Sequence, residues 1–145
     1  MFNGIIKNWQ IGQKINIESS LKIGDKLEGH KILGNVDSVA NIVKFQEVEN
    51  GYKVDLKIEN KDILSYLKTG GFVAVDGISL NVRGTDSDIL HLFLSPFTKN
   101  HTSFNNYHIG DQVNIEADYQ TKIIVDTVIE EMHNIHSDWA YHSAA

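Results

Sequence analysis

Residues 70–82 read GGFVAVDGISLNV, and this stretch decides how the rest of the chain is interpreted. It contains two short apolar, β-branched runs separated by Asp76-Gly77, a dipeptide typical of tight turns between strands. In residues 78–82 apolar and polar residues alternate, so three aliphatic side chains share one strand face while Ser79 and Asn81 share the other. The stretch therefore predicts two strands, the second of which carries a hydroxyl and an amide side by side.

The Ser79–Asn81 pair has two interpretations. A hydroxyl and an amide on a stiff strand, backed by a core, are suited to hydrogen-bonding a planar polar ligand. The alternative is an ordinary solvated strand face, since most polar faces of strands are only surface. Both interpretations stay open at this point.

Composition limits the classes of function. The 145 residues are enough for one domain with an ordinary core. A formal net charge of −6 argues against nucleic acid as the main partner, because phosphate binding needs clustered Lys and Arg. The lack of cysteine excludes disulfides, thiolate nucleophiles and Cys-ligated metals. No apolar run approaches the length of a membrane span and the first residues do not resemble a signal peptide, so we expect a cytoplasmic protein with no membrane partner.

Outside the opening stretch, the chain predicts a series of strands and one short helix. Asn50-Gly51 indicates a hairpin, and Asn60 is placed to cap a short helix that Gly70 ends. Residues 97–108 are predicted to form a polar loop. Strands are expected at 30–37, 39–49, 52–58, 90–94 and 113–117. This spacing favours a small closed barrel or a sandwich.

The first 22 residues contain a partial internal repeat. Residues 11–18 match residues 109–116 almost position by position, and residues 2–5 match residues 33–36 more weakly. Strands are accordingly predicted at 2–6 and 14–18. A two-module ancestor whose first module lost its interior explains both matches. Chance similarity between short β-rich strings is the alternative.

The C-terminal region predicts a helix that begins after Asp118 and ends near His133, followed by a polar tail at 134–145. An apolar stripe on this helix would pack on the barrel or on a partner subunit; its members are Ile124, Val125, Val128, Ile129 and Met132. His133, His136 and His142 have a spacing compatible with a metal site. They lack an accompanying carboxylate or Cys set, so we expect a solvated end and no metal.

Five segments carry, in order, the motifs of one protein family. MFNGII at 1–6 is similar to MFTGI, and LEGHKILGNVD at 27–37 to LGGHLVSGHVD. The segment VDGISLNV at 75–82 is similar to VDGVSLTV. Within residues 96–103, PFT is similar to P-x-T and TS is similar to T-T. The segment IGDQVNIE at 109–116 is similar to VGDRVNLE. On these motifs the chain resembles riboflavin synthase and its lumazine-binding relatives.

The resemblance implies an all-β fold, a six-stranded Greek-key barrel with a short internal helix and a C-terminal helix. Riboflavin synthase contains two such barrels in tandem. Residues 1–22 would then be remnant strands of a lost first barrel, residues 23–117 the lumazine-binding barrel and residues 118–133 the C-terminal helix. That helix helps to build the family's trimer, so a homo-oligomer, dimer or trimer, is expected.

The resemblance also implies a binding site for a pterin-like lumazine or a flavin. The expected ligand is 6,7-dimethyl-8-ribityllumazine, riboflavin or FMN, and no metal or organic cofactor is required. The implied ligand-binding residues are Asn35, Val36, Ile78, Ser79, Asn81, Ser95, Thr98 and Thr102.

Whether the chain catalyses is left open by its departures from the family. Riboflavin synthase transfers a four-carbon unit between two lumazine molecules held face to face. Here most of the first barrel is missing, Asn35 replaces the His of SGHVD, and Asn81 replaces the Thr of SLT. We therefore expect binding without full catalysis. The alternatives are an active oligomeric synthase that uses Ser79, His30 and Asp37, and a degenerate barrel kept as a structural or assembly module.

Overall fold

The computed structural model describes the backbone of residues 4–143 and the side chains of residues 4–135. This part of the chain contains strands β1 (Ser38–Val48), β2 (Gly51–Ile58), β3 (Phe72–Val75), β4 (Ile78–Asp86), β5 (Ile89–Leu94) and β6 (Gln112–Ala117). Its α-helices are α1 (Pro96–His101) and α2 (Tyr119–Ser143). Short 3-10 helices span Ile5–Asn8, Lys61–Tyr66 and Ser103–Asn106.

The strands form one closed antiparallel barrel in the order β1-β2-β5-β4-β3-β6, and β6 pairs back with β1. The strands β3, β4 and β5 follow one another as hairpins, and β6 returns to lie beside β3, which is a Greek key. Alternate residues fill the interior: Leu80 and Val82 of β4, and the three leucines of β5, are buried. The predicted all-β Greek-key barrel is confirmed.

The turn at Asp76-Gly77 joins β3 to β4 as predicted. Val75 pairs with Ile78, so the loop consists of Asp76 and Gly77 alone. Both have positive φ, 45° for Asp76 and 80° for Gly77, as in the type I′ turns that match the twist of a hairpin. Aspartate and glycine are among the residues that tolerate this conformation, which explains why the dipeptide predicted the turn.

Three strands predicted ahead of β1 are not strands where the structure describes them. Ile5–Asn8 is a 3-10 helix, while Phe2 and Asn3 lie outside the described residues. Residues 14–18 and 30–37 have no regular secondary structure. A strand needs a partner with unpaired backbone groups, and a closed barrel offers no such edge.

The predicted loop at 97–108 was also wrong, because it contains α1 and a 3-10 helix. The Ser95 side chain accepts a hydrogen bond from the Thr98 N–H, and Pro96 occupies the first turn of α1. Thr102 caps the next 3-10 helix in the same way. The sequence signal for α1 is the Ser95-Pro96 pair, in which an N-cap residue is followed by proline, a residue common at the first helical position. The short helix predicted after Asn60 is a 3-10 helix, and Asn60 caps it.

Helix α2 begins where the sequence predicted and ends later. The Asp118 carboxylate accepts hydrogen bonds from the N–H and the hydroxyl of Thr121. The helix continues to Ser143, so residues 134–143 are not a separate polar tail. No glycine or proline lies in that segment to stop the helix. No helix in the described part of the chain has the length and apolarity needed to cross a membrane.

Candidate ligand-binding site

The outer face of β4 carries the polar pair that the sequence singled out. Ser79 is half-buried and Asn81 is exposed, while Leu80 and Val82, which alternate with them along the strand, are buried in the barrel. Ile78, at the start of the strand, is half-buried. The barrel wall therefore supports both polar side chains from behind and fixes the direction in which they point.

His30 lies directly over Ser79. Its Nδ1 is 2.7 Å from the Ser79 hydroxyl, and its ring stacks on Phe72 with 5.1 Å between the ring centroids. The other ring nitrogen, Nε2, is buried and has no hydrogen-bond partner among the described residues. The structure thus brings two of the three predicted catalytic candidates into contact.

The close approach of His30 to Ser79 depends on the glycine that precedes the histidine. Gly29 has a φ of +80°, and a Cβ on it would lie 2.5 Å from the Ser79 hydroxyl oxygen. Gly29→Ala is expected to break the His30–Ser79 contact and lower the unfolding midpoint in urea. Gly34→Ala is the matched control, since Gly34 has a φ of +81° but its Cβ would meet nothing within 4 Å. Equal unfolding midpoints and unchanged His30 ring NMR shifts in the two variants would contradict this explanation.

Burial lowers the pKa of His30 from its usual 6.5, although Asp118 and Glu116 act in the opposite direction. The folded state therefore favours the neutral imidazole. Below the unfolded pKa the unfolded chain takes up a proton more readily than the folded one, so this group's stabilising contribution is lost as the pH falls. We expect His30→Gln to reduce the loss of stability between about pH 7.5 and 5, measured by urea unfolding. His133→Gln, on the exposed surface of α2, should leave that pH dependence unchanged.

Ser79 lines an open cavity of about 640 Å³ together with Ile78 and Thr102. Part of its lining comes from the N-terminal segment and includes Asn16 and Glu28. Small-molecule sites usually measure roughly 300–1,000 Å³, so the cavity is large enough for a ring system. Three predicted ligand-contact residues therefore surround one cavity of suitable size.

Two other predicted contacts, Ser95 and Thr98, have structural hydrogen bonds, and so does Thr102. The Ser95 hydroxyl lies 3.0 Å from both the N–H and the hydroxyl of Thr98. The Thr102 hydroxyl donates to the Thr98 carbonyl oxygen at 2.7 Å and accepts from the Phe104 N–H at 3.3 Å. These bonds stabilise α1 and the 3-10 helix that comes after it.

Asn35 and Val36 are not grouped with Ser79. Val36 lines a smaller cavity of about 220 Å³ with Trp9 and Tyr107, whereas Asn35 is exposed and lines neither cavity. The buried Glu116 carboxylate fixes the backbone just before them by accepting the N–H groups of residues 33 and 34 at 2.7 and 2.9 Å.

Asp37, the third catalytic candidate, has other partners. Its carboxylate accepts the Ala117 N–H at 2.9 Å and pairs with the Lys122 ammonium group. It therefore ties the start of β1 to β6 and α2. The structure does not place it with His30 and Ser79.

Sequence reasoning missed the role of Asn16 and Asp76. The Asn16 amide donates to the Asp76 carbonyl oxygen at 2.9 Å and accepts from the Ser103 N–H at 2.8 Å, which fixes the N-terminal segment against the barrel. The Asp76 carboxylate accepts from Asn114 and from the Tyr107 hydroxyl, and burial together with this carboxylate raises the pKa of Tyr107. The repeat offered a signal, because Asn16 and Asn114 are equivalent positions in it.

Of the three histidines near the C-terminus, one has a described side chain. His133 is exposed on α2, and the side chains of His136 and His142 lie outside the described residues. Among the residues with described side chains, no group of three or more His, Asp or Glu is placed to hold a metal ion.

Comparison with known proteins gives consistent matches. A family model described as "Lumazine binding domain" matches residues 33–118. Riboflavin synthase of Buchnera aphidicola subsp. Schizaphis graminum is 37% identical over 117 residues, which cover 81% of this chain and 56% of that protein. Riboflavin synthase of Escherichia coli strain K12 is 32% identical over 119 residues, with 82% and 56% coverage. The chain thus spans a little over half of the length of these relatives.

Crystal structures of LumP share the fold. The complex with 6,7-dimethyl-8-(1'-D-ribityl) lumazine has a TM-score of 0.70 at 24% identity and covers 81% of this chain and 62% of LumP. The riboflavin complex has a TM-score of 0.71 at 23% identity, with 79% and 62% coverage. The flavin mononucleotide complex has a TM-score of 0.53 at 24% identity, with 59% and 48% coverage. Since the family model matches more than half of the chain and the barrel has the same architecture, the chain belongs to the lumazine-binding domain family.

Proposed function

We propose that this chain is a riboflavin synthase-like binding module that holds 6,7-dimethyl-8-ribityllumazine or a flavin without carrying out the full synthase reaction. The observation that carries the proposal is the cavity of about 640 Å³ beside Ser79, Ile78 and Thr102. It opens next to a rigid polar strand face in a member of the lumazine-binding family. LumP, which shares the fold, has been crystallised with lumazine, riboflavin and flavin mononucleotide.

The chemistry of the β4 face suits such a ring. The edge of a pterin or flavin presents both hydrogen-bond donors and acceptors, and the Ser79 hydroxyl and the Asn81 amide each supply both. The Ser79 hydroxyl already bonds His30 at 2.7 Å. A bound ring would therefore displace the imidazole from Ser79 or use the remaining hydrogen-bonding capacity of the hydroxyl.

One substitution argues against full catalysis. Asn35 occupies the position of the histidine in the similar family motif SGHVD. An amide does not exchange protons near neutral pH as an imidazole does.

One specific observation favours the alternative of an active synthase. His30 and Ser79 form a hydrogen-bonded imidazole–hydroxyl pair, and burial keeps the imidazole neutral, which is the form that accepts a proton. In this alternative two copies of the chain would each supply one substrate-binding barrel.

A fluorescence titration with 6,7-dimethyl-8-ribityllumazine, followed by assay for riboflavin, tests both functions. Saturable binding without product supports the binding module, and product formation identifies the enzyme. Ser79→Ala should weaken binding roughly tenfold, because one hydrogen bond is lost. Ser65→Ala is the control, since the Ser65 hydroxyl donates to the Asp62 carbonyl oxygen and Ser65 does not line the cavity. Failure of both lumazine and riboflavin to bind would overturn the proposal.

We also propose that α2 joins copies of this chain into a dimer or trimer. Its apolar stripe is exposed in the single chain: Ile124 is 64% and Val128 53% accessible. A soluble monomer rarely exposes such a contiguous apolar surface. Sedimentation equilibrium of the purified chain tests this, and a monomer at all concentrations would contradict it.

A further inference from the structure

A second cleft, of about 510 Å³, lies on the outside of the barrel, and three of its seven lining residues are Lys or Arg. We call it the basic cleft, and its polar and aromatic lining consists of Lys44 of β1, Lys53 and Asp55 of β2, Arg83 of β4, and His91 and Phe93 of β5. The chain as a whole is acidic, with a formal net charge of −6. This local excess of positive charge is therefore opposite to the average surface.

Strand register brings these side chains together. Lys44 pairs with Asp55, and Asp55 pairs with His91, which makes one row across three strands. Lys53 pairs with Phe93 in the adjacent row. Pairing of β4 with β5 shifts between residues 82 and 84, and at this bulge the Arg83 guanidinium lies 5.7 Å from the centroid of the Phe93 ring.

The one carboxylate that lines the cleft does not neutralise all of its cations. One Asp55 oxygen lies 2.8 Å from the His91 ring nitrogen, and the other lies 4.0 Å from the Lys44 ammonium nitrogen. Within the described part of the chain, neither Lys53 nor Arg83 has a carboxylate partner at ion-pair distance. Two uncompensated cations flanking an aromatic ring are suited to an anion, which arginine binds in bidentate fashion and lysine as a point charge.

The basic cleft continues the surface proposed to hold the ring. Ser79, Asn81 and Arg83 are successive outward positions of β4, and each two-residue step advances about 6.5–7 Å along the strand. A ligand whose ring lies at Ser79 would therefore meet Arg83 at its far end if it carries a chain that extends along β4.

Building on the proposed function, we propose that the basic cleft binds the phosphate of a ribityl-phosphate flavin, and that the chain prefers flavin mononucleotide to riboflavin. The two ligands share the ring and the ribityl chain and differ only in the terminal phosphate monoester. Any difference in their affinity therefore measures the contribution of the phosphate. The dianion would lie between Lys53 and Arg83, with its ribityl chain running along β4 toward Asn81.

Parallel titrations with flavin mononucleotide and riboflavin test this. The unmodified chain is expected to bind flavin mononucleotide about tenfold more tightly, because a phosphate forms charge-assisted hydrogen bonds with both cations. The double variant Lys53→Gln/Arg83→Gln should bind the two flavins equally, with the riboflavin affinity unchanged. Lys57→Gln, on the same strand and face but outside the cleft, should keep the preference.

Competition with inorganic phosphate shows whether the preference for flavin mononucleotide comes from its phosphate group. We expect it to weaken binding of flavin mononucleotide and leave riboflavin binding unaffected, since it occupies the cleft alone. Equal affinity of the unmodified chain for the two flavins overturns the inference and leaves the proposed function standing. A preference that persists in the double variant also overturns it, while binding of neither flavin overturns both.

Discussion

Replacing Phe104 with alanine is expected to lower the free energy of unfolding by about 3–5 kcal/mol, the usual cost of removing a large aromatic side chain from a core. Phe104 is fully buried, and its ring packs 6.4 Å from Phe45 and 5.4 Å from Tyr107, centroid to centroid. It enters the core from a 3-10 helix rather than from a strand. Truncation would leave a cavity that the rigid barrel cannot close.

Urea unfolding of Phe104→Ala beside Phe97→Ala checks this expectation. Phe97 is 70% exposed, so its truncation should change the free energy by no more than about 0.5 kcal/mol. The effect should extend to the ligand site, because Thr102 of the cavity and Ser103, which bonds Asn16, precede Phe104 directly. Similar unfolding curves for the two variants would show that Phe104 is not a core residue in solution.

Asp76→Ala is expected to cost about 2–4 kcal/mol, since it leaves several partly buried groups without their partner. The carboxylate accepts from the backbone and side-chain N–H groups of Asn114 at 2.8 Å and from the Tyr107 hydroxyl at 2.6 Å. Asp76 also has a φ of 45°, a conformation that alanine adopts less readily than aspartate or asparagine.

Asp76→Asn separates these contributions. It retains an acceptor oxygen for Asn114 and tolerates positive φ, so we expect it to lose less than half as much stability as Asp76→Ala. Asp86→Ala, at the exposed end of β4, serves as the surface control. Equal losses for Asp76→Ala and Asp76→Asn would point to the charge, rather than to hydrogen bonding and turn geometry, as the main contribution.

Local alternation predicted the strands that pair in the barrel, and it also predicted strands in segments that have no pairing partner. The alternation in β4 and β5 reflects a side-chain period of two, which can be read within one strand. Residues 14–18 alternate just as well, but whether a partner edge exists depends on the closure of the whole barrel. Pairing is a long-range property, so this error could not be avoided from the residues alone.

Only part of the site was predicted, because contacts between residues far apart in the sequence cannot be read from local patterns. Ser79 was found because its strand is distinctive, but its partner His30 is 49 residues away in the sequence. The contact also requires Gly29, where any Cβ would collide with Ser79. By contrast, the capping roles of Ser95 and Thr102 are local, and the Ser95-Pro96 pair is a sequence signal for the first of them.

The pairing of β1 with β6 has a consequence for how genes of this family change length. The first and last strands of the barrel lie side by side, so two points far apart in the coding sequence correspond to neighbouring points in space. A deletion between such points in one barrel of a tandem pair would join ends that are already adjacent. Losing nearly a whole barrel in this way would disturb the remaining barrel little, whereas losing a single strand would open a barrel and expose its edges.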